Sequence, residues 1–209
     1  MSGARTAVAT SIAYRPRMTW HELGSELPRS GTRFTRWLGR TAVHVIGWRV
    51  EGQLPNRAKL IIAVAPHSSN FDFVLTVLII WGAGLRASFL AKDTLFRFPL
   101  SILMNHFGGI PVDRSAKHGV VEQMAGLFGR SERLVLGITP EGTRSQVTRM
   151  KHGFAQIAAA ADVPVQPAIL DYRRKVVRFL PVISDVSSPD VTVAQLEALA
   201  ATGVTRAHA

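Results

Sequence analysis

Cysteine is absent from the 209 residues. That excludes a disulfide framework, a thiolate nucleophile and any Cys-ligated metal, and it is compatible with a reducing compartment. Acidic side chains are scarce: 14 Asp and Glu stand against 25 Lys and Arg, for a net charge of +11 with His neutral. Such a balance implies an anionic partner, whether nucleic acid, anionic lipid or a phosphorylated substrate. Lysine is missing from residues 1–50, where eight Arg face only Glu22 and Glu26, so this segment carries about half of the excess. It reads either as a solvated basic tail or as a segment drawn to an anionic leaflet, where each basic residue gains roughly 1 kcal/mol.

A long unbroken apolar run is lacking too. The most apolar stretch, residues 60–85, is interrupted by Pro66, His67, Asn70 and Asp72. Its continuous part, 73–85, is about a dozen residues; roughly 18 are needed to span a bilayer as a helix. A strand, a polar turn and a buried or interfacial helix are expected there instead. Residues 1–17 hold no apolar leader core, because Arg5, Arg15 and Arg17 break it. With 47% hydrophobic and 19% charged residues, the chain has the composition of a folded domain rather than a disordered one.

Along the chain, residues 1–31 mix Pro, Gly, Ser and Arg with little periodicity. In residues 33–49, Phe34, Trp37, Leu38, Val43, Val45, Ile46 and Trp48 alternate with Arg33, Arg36, Arg40 and Arg49. Arg and Trp around a short apolar run suit the membrane interface; the plainer alternative is a helix packed on the core. From residue 60 strands and helices alternate. Strands are expected at 60–65, 87–91, 110–112, 134–138, 163–170 and 175–182. Helices are expected at 71–81, 99–107, 117–130 and from 154 to about 161, with a last one opened by a Thr192/Gln195 capping box and running to about 201. No internal repeat or low-complexity tract is present. The pattern predicts a single α/β domain with a mostly parallel mixed sheet flanked by helices, preceded by an N-terminal amphipathic membrane-interface segment. The expected division is a basic segment at 1–50 and an α/β domain at 51–209.

Four polar clusters fall where strands run into loops, the usual place for sites in such sheets. In the first, His67 is followed five residues on by Asp72. An imidazole takes a proton near neutral pH, and a carboxylate on its second nitrogen fixes its tautomer. Five residues do not share one helical face, so the pair meets only if His67 lies in the turn and Asp72 in the first helical turn. The second cluster, residues 108–114, ends a glycine pair and a short strand on Arg114, a forked donor suited to phosphate. The third, residues 139–145, packs Glu141, Gly142, Thr143 and Arg144 into one turn. Arg144 suits a phosphate, Gly142 can expose backbone N–H groups to it, and Glu141 can hold Arg144 or bond a substrate hydroxyl. The fourth, residues 163–168, holds two prolines in a strand, which suggests an edge or a bend.

In order and spacing these clusters resemble the four blocks of the glycerolipid acyltransferase family, the enzymes like 1-acyl-glycerol-3-phosphate acyltransferase. The blocks are His67 with Asp72, Gly-Gly-Ile-Pro-Val-Asp-Arg ending at Arg114, Pro-Glu-Gly-Thr-Arg-Ser over residues 140–145, and Val-Pro-Val-Gln-Pro over 163–167. Residues 151–158 match a further Lys-x-Gly-x-x-x-x-Ala segment. The resemblance covers about residues 60–170. It implies that His67 acts as general base on an acceptor hydroxyl, with Asp72 orienting it. It implies that Arg114 and Arg144 hold the acceptor phosphate in a pocket shaped by Glu141, Gly142 and Thr143. The donor would be acyl-CoA or acyl carrier protein as co-substrate, with no cofactor, no metal and no acyl-enzyme. The partners would be a lysophospholipid and an anionic membrane surface, at its cytoplasmic face, peripheral or monotopic. Pro66 stands before the His where many members have Asn, and Thr139 where Phe is common. Lysophosphatidic acid is the family's default acceptor; a lyso-ornithine lipid or another lysolipid is the alternative.

Rival classes account for less of the sequence. A nucleic-acid-binding protein would explain the charge, but no basic helix or aromatic–basic interleaving marks such a module. A non-catalytic membrane-binding module has no need of His67. A metal-dependent hydrolase would need more His than His67 beside Asp72 and Glu141.

Overall fold

The computed structural model describes residues 18, 20, 23–66, 69–112, 117–141 and 150–203. Its centre is a seven-stranded sheet: β1 (Arg49–Glu51), β2 (Lys59–Ala65), β3 (Ser88–Lys92), β4 (Gly109–Val112), β5 (Leu134–Ile138), β6 (Val165–Asp171) and β7 (Val176–Phe179). The spatial order is β1-β7-β6-β2-β5-β3-β4. All neighbours are parallel except the antiparallel pair β6–β7, so β1 and β7 run against the other five. The helices are α1 (Arg33–Val45), α2 (Asn70–Ala83), α3 (Leu100–His106), α4 (Lys117–Arg130), α5 (Gly153–Ala161) and α6 (Pro189–Ala200), with a short 3₁₀ helix at Asp93–Phe96.

A parallel sheet must be covered on both faces, which is why β2 reads as a continuous apolar run. Ile61, Ala63 and Ala65 join the core beneath α4, α5 and α6. Leu60, Ile62 and Val64 join the core beneath α1 and α2. Polar interruptions come only after Ala65, where the chain leaves the sheet. Helix α2 then starts after Ser69 and stops at Gly84, whose φ of 64° is the left-handed cap that glycine takes without strain.

The expected interfacial helix forms, and it packs on the domain. It lies antiparallel to α2, with Gly39 and Val43 buried. A Cβ on Gly39 would sit 2.5 Å from Gly82 N and from Leu78 O, so the two backbones touch directly. Arg40 Nε donates to Gly82 O at 2.8 Å, and its guanidinium lies 5.9 Å from the Trp20 ring. Burial, then the neighbouring Arg36, lower the Arg40 pKa from its usual value. Phe34 and Trp37 face outward, while Trp48 is not interfacial but buried in the core. Strand β1 spans residue 50 and pairs with β7, so α1 and β1 belong to the same α/β unit. Residues 1–17, which hold three of the eight Arg of the expected N-terminal segment, lie outside the described residues.

Gly39→Val should lower stability by roughly 1–3 kcal/mol, because the added atoms meet backbone rather than a movable side chain. The measurement is a urea melt, with a lower midpoint at unchanged slope expected. An unchanged midpoint would contradict the close packing of α1 on α2.

Two sequence expectations are corrected. The proline-bearing strand is not an edge: β6 lies between β7 and β2. Pro167 is tolerated because the ladder to β7 ends at Ala168, and the carbonyl of Pro167 takes Leu180 N at 3.0 Å on that side. Its missing N–H therefore falls just past the last pair. Nor does Thr192 open the last helix. Helix α6 begins at Pro189, after Ser188, and the Thr192 hydroxyl bonds back to Ser188 O at 3.0 Å from inside the first turn. Proline at a first helical position needs no hydrogen-bond partner, which sets the earlier start. Among the described residues no helix is long and apolar enough to cross a membrane.

Candidate active site

The carboxyl ends of β2, β3, β4, β5 and β6 all meet one edge of the sheet, and each sequence cluster with an acid, base or guanidinium follows one of them. Asp72 lies in the first turn of α2, fully buried. Its Oδ2 accepts Ser69 N at 2.8 Å, and its Oδ1 accepts the Ser69 hydroxyl at 3.3 Å. The hydroxyl of Tyr172 also donates to Oδ1. A buried carboxylate is tolerated here because N–H and O–H donors surround it at a helix N-terminus, where the dipole favours negative charge.

Tyr172 was not marked by any local sequence signal. It follows directly on β6, and the pairing of Ala65 with Ile169 brings that strand end beside the end of β2. Its ring is fixed by Trp48, edge-on at 4.9 Å and 88°, and by Phe71 at 6.4 Å. Aromatic packing therefore aims the phenol at a carboxylate 100 positions away in sequence.

Glu141 follows β5, whose Ile138 pairs with Ala63 of β2, so this carboxylate reaches the same edge as Asp72. The segment it opens is pinned at its base. Lys151 N donates to Pro140 O at 2.9 Å, and Met150 N donates to Glu197 Oε1 on α6 at 2.8 Å. Glu197, like Tyr172, escaped the sequence reading because α6 meets this base only in three dimensions. His67, Arg114, Gly142, Thr143 and Arg144 lie outside the described residues, which include their chain neighbours Pro66, Val112 and Glu141. A cavity of about 410 Å³ between Gly52–Pro55 and Phe179–Val182 opens at the opposite edge, near the start of β6, and holds none of these groups. Among the described residues, no three His, Asp or Glu side chains are placed to hold a metal ion.

The model of the acyltransferase family matches residues 47–171, from just before β1 to the last residue of β6. This chain belongs to the acyltransferase family. The acyltransferase fold here is similar to that of the 1-acyl-sn-glycerophosphate (LPA) acyltransferase PlsC from Thermotoga maritima, with a TM-score of 0.57 and 18% identity over 81% of this chain and 76% of that one. No curated protein sequence matches the chain.

Proposed function

We propose that this acyltransferase moves a fatty acyl group from acyl-CoA or acyl carrier protein to the hydroxyl of a lysophospholipid such as 1-acyl-glycerol-3-phosphate. The observation that carries the reading is Asp72, an acid with no solvent exposure, bonded by Ser69 and Tyr172 and five residues after His67. So buried a carboxylate is a poor proton carrier for solvent and a good fixed partner for a neighbouring imidazole. His67 takes the proton of the acceptor hydroxyl as its oxygen attacks the thioester carbonyl. The tetrahedral intermediate collapses, the C–S bond breaks, and the imidazolium returns its proton to the departing thiolate. Arg114 and Arg144 hold the acceptor phosphate by charge-assisted hydrogen bonds, and Glu141, Gly142 and Thr143 shape that pocket. The basic balance of the chain and the outward Phe34 and Trp37 favour work at the cytoplasmic face of a membrane, as a peripheral or monotopic protein.

Acceptor identity is tested by offering both donors with lysophosphatidic acid, lysophosphatidylglycerol and lyso-ornithine lipid, and reading diacyl products by mass spectrometry. Transfer to lysophosphatidic acid first is expected; preference for the ornithine acceptor would reassign the substrate.

Tyr172→Phe removes one donor to Asp72 and nothing that touches substrate. A hydrogen bond to a charged group is worth about 1.5–3 kcal/mol, so a fall of roughly 10- to 100-fold in kcat is expected. The loss should fall in kcat with KM little changed, because the phenol acts through Asp72. A stability change with an unmoved kcat would contradict this positioning role.

A further inference from the structure

The α2–α3 face of the domain carries apolar side chains that the sheet does not need. Between β3 and β4 the chain makes the 3₁₀ helix and α3, and no residue of either is buried. Phe98 is 83% exposed, Ile102 65% and Leu103 47%, with Leu95 and Leu100 also exposed. The chain that leaves α3 touches the far end of α2 through Phe107. Phe73 of α2 meets Phe89 of β3 at 5.4 Å, and Trp81 stacks on Phe107 at 5.9 Å. Phe73 and Val74, exposed in the first turns of α2, follow Asp72 directly in the chain. Single exposed hydrophobics are ordinary; a run of them over two adjoining helices beside a site is not.

We propose that this face is the membrane-docking surface of the enzyme, and that its partner is an anionic bilayer. Lys92 and Arg97 bracket Leu95 and Arg97 directly precedes Phe98, with Asp93 the acidic residue among them, on a chain of net charge +11. The same charge disfavours a second copy as the occupant, because two such surfaces would repel as they closed. An apolar patch bordered by cations matches a leaflet of acyl chains beneath anionic headgroups. The placement rests on the lysolipid reading given above: with α3 down, the mouth of the site opens at headgroup level, and an acceptor reaches it without leaving the leaflet. Phe34 and Trp37 of α1 flank α2 from its other side and lie towards the opposite end of that helix, away from the site, so they are the secondary contact.

The test is sedimentation of the full chain with vesicles of mixed phosphatidylcholine and phosphatidylglycerol, and with phosphatidylcholine alone. Phe98→Ser with Ile102→Ser should weaken binding to the anionic vesicles at least about tenfold, since two apolar side chains would be lost from the acyl-chain region. Both residues are exposed, so circular dichroism should be unchanged. Acylation of a short-chain, freely dissolved lysolipid should be retained in the same variant. Full vesicle binding by this variant, with loss instead in Phe34→Ser/Trp37→Ser, overturns the proposal. So does a patch-dependent dimer that ignores vesicles. Failure of the wild type to acylate the dissolved acceptor bears on the lysolipid reading alone, because vesicle binding is scored without turnover.

Discussion

Asp72→Asn should lower kcat by about 10³- to 10⁴-fold, the order found when the carboxylate behind a catalytic imidazole becomes an amide. The substitution is informative because the surroundings accept it. The amide oxygen can keep Ser69 N, which is a fixed donor at 2.8 Å. The amide N–H₂ then faces the Tyr172 hydroxyl, which can rotate to accept. Shape and burial stay; the negative charge goes. Loss of an acid from the first turn of α2 costs about 0.3–1 kcal/mol of helix stability, far too little to unfold a domain. A folded Asp72→Asn variant with kcat within about tenfold of wild type would mean that Asp72 serves the α2 cap and not the chemistry.

Arg144→Ala should reduce kcat/KM for lysophosphatidic acid by roughly 10- to 100-fold, the worth of one hydrogen bond between charged groups. Most of the loss should appear in KM, because the phosphate is held alike in the ground state and the transition state. The control is the acceptor itself: a lyso-ornithine lipid offers no phosphate and should lose little. The base of this loop is tied independently, by Lys151 N on Pro140 O and by Glu197 on Met150 N, so a side chain can be removed without freeing the segment. Equal losses on both acceptors would place Arg144 in the structure of the loop rather than against phosphate.

The parts of this molecule legible in its sequence are those governed by neighbours in the chain. The apolar run at 60–65 marked a strand buried on both faces, and β2 is Lys59–Ala65. Ser69 or Asn70 before a long apolar segment marks the start of α2, and Gly82 or Gly84 its end; the helix takes Ser69 and Gly84. The requirement that Asp72 fall in the first helical turn could be stated from spacing alone, and it does. What escaped depends on distant segments. Tyr172 reaches Asp72 only because β2 and β6 are adjacent parallel strands, and Glu197 reaches the Glu141 loop only because α6 folds back on α5. Pro167 argued for an edge, yet its missing donor falls where the ladder to β7 ends, a register detail that no composition shows. The alternation of Arg with aromatics in α1 suits either an interface or a helix packed on the core, and a glycine-to-glycine contact with α2 decides which side of that helix is buried.

If His67 withdraws the acceptor's proton, its removal should stop transfer. Purified wild type and His67→Ala should be compared with a labelled acyl-CoA and the acceptor that the wild type prefers, at equal folded fraction and equal vesicle binding. Transfer by the wild type is expected, with a loss of about 10²- to 10⁴-fold or more in the variant, the contribution of general-base catalysis. Transfer by His67→Ala at a rate near that of the wild type would contradict it.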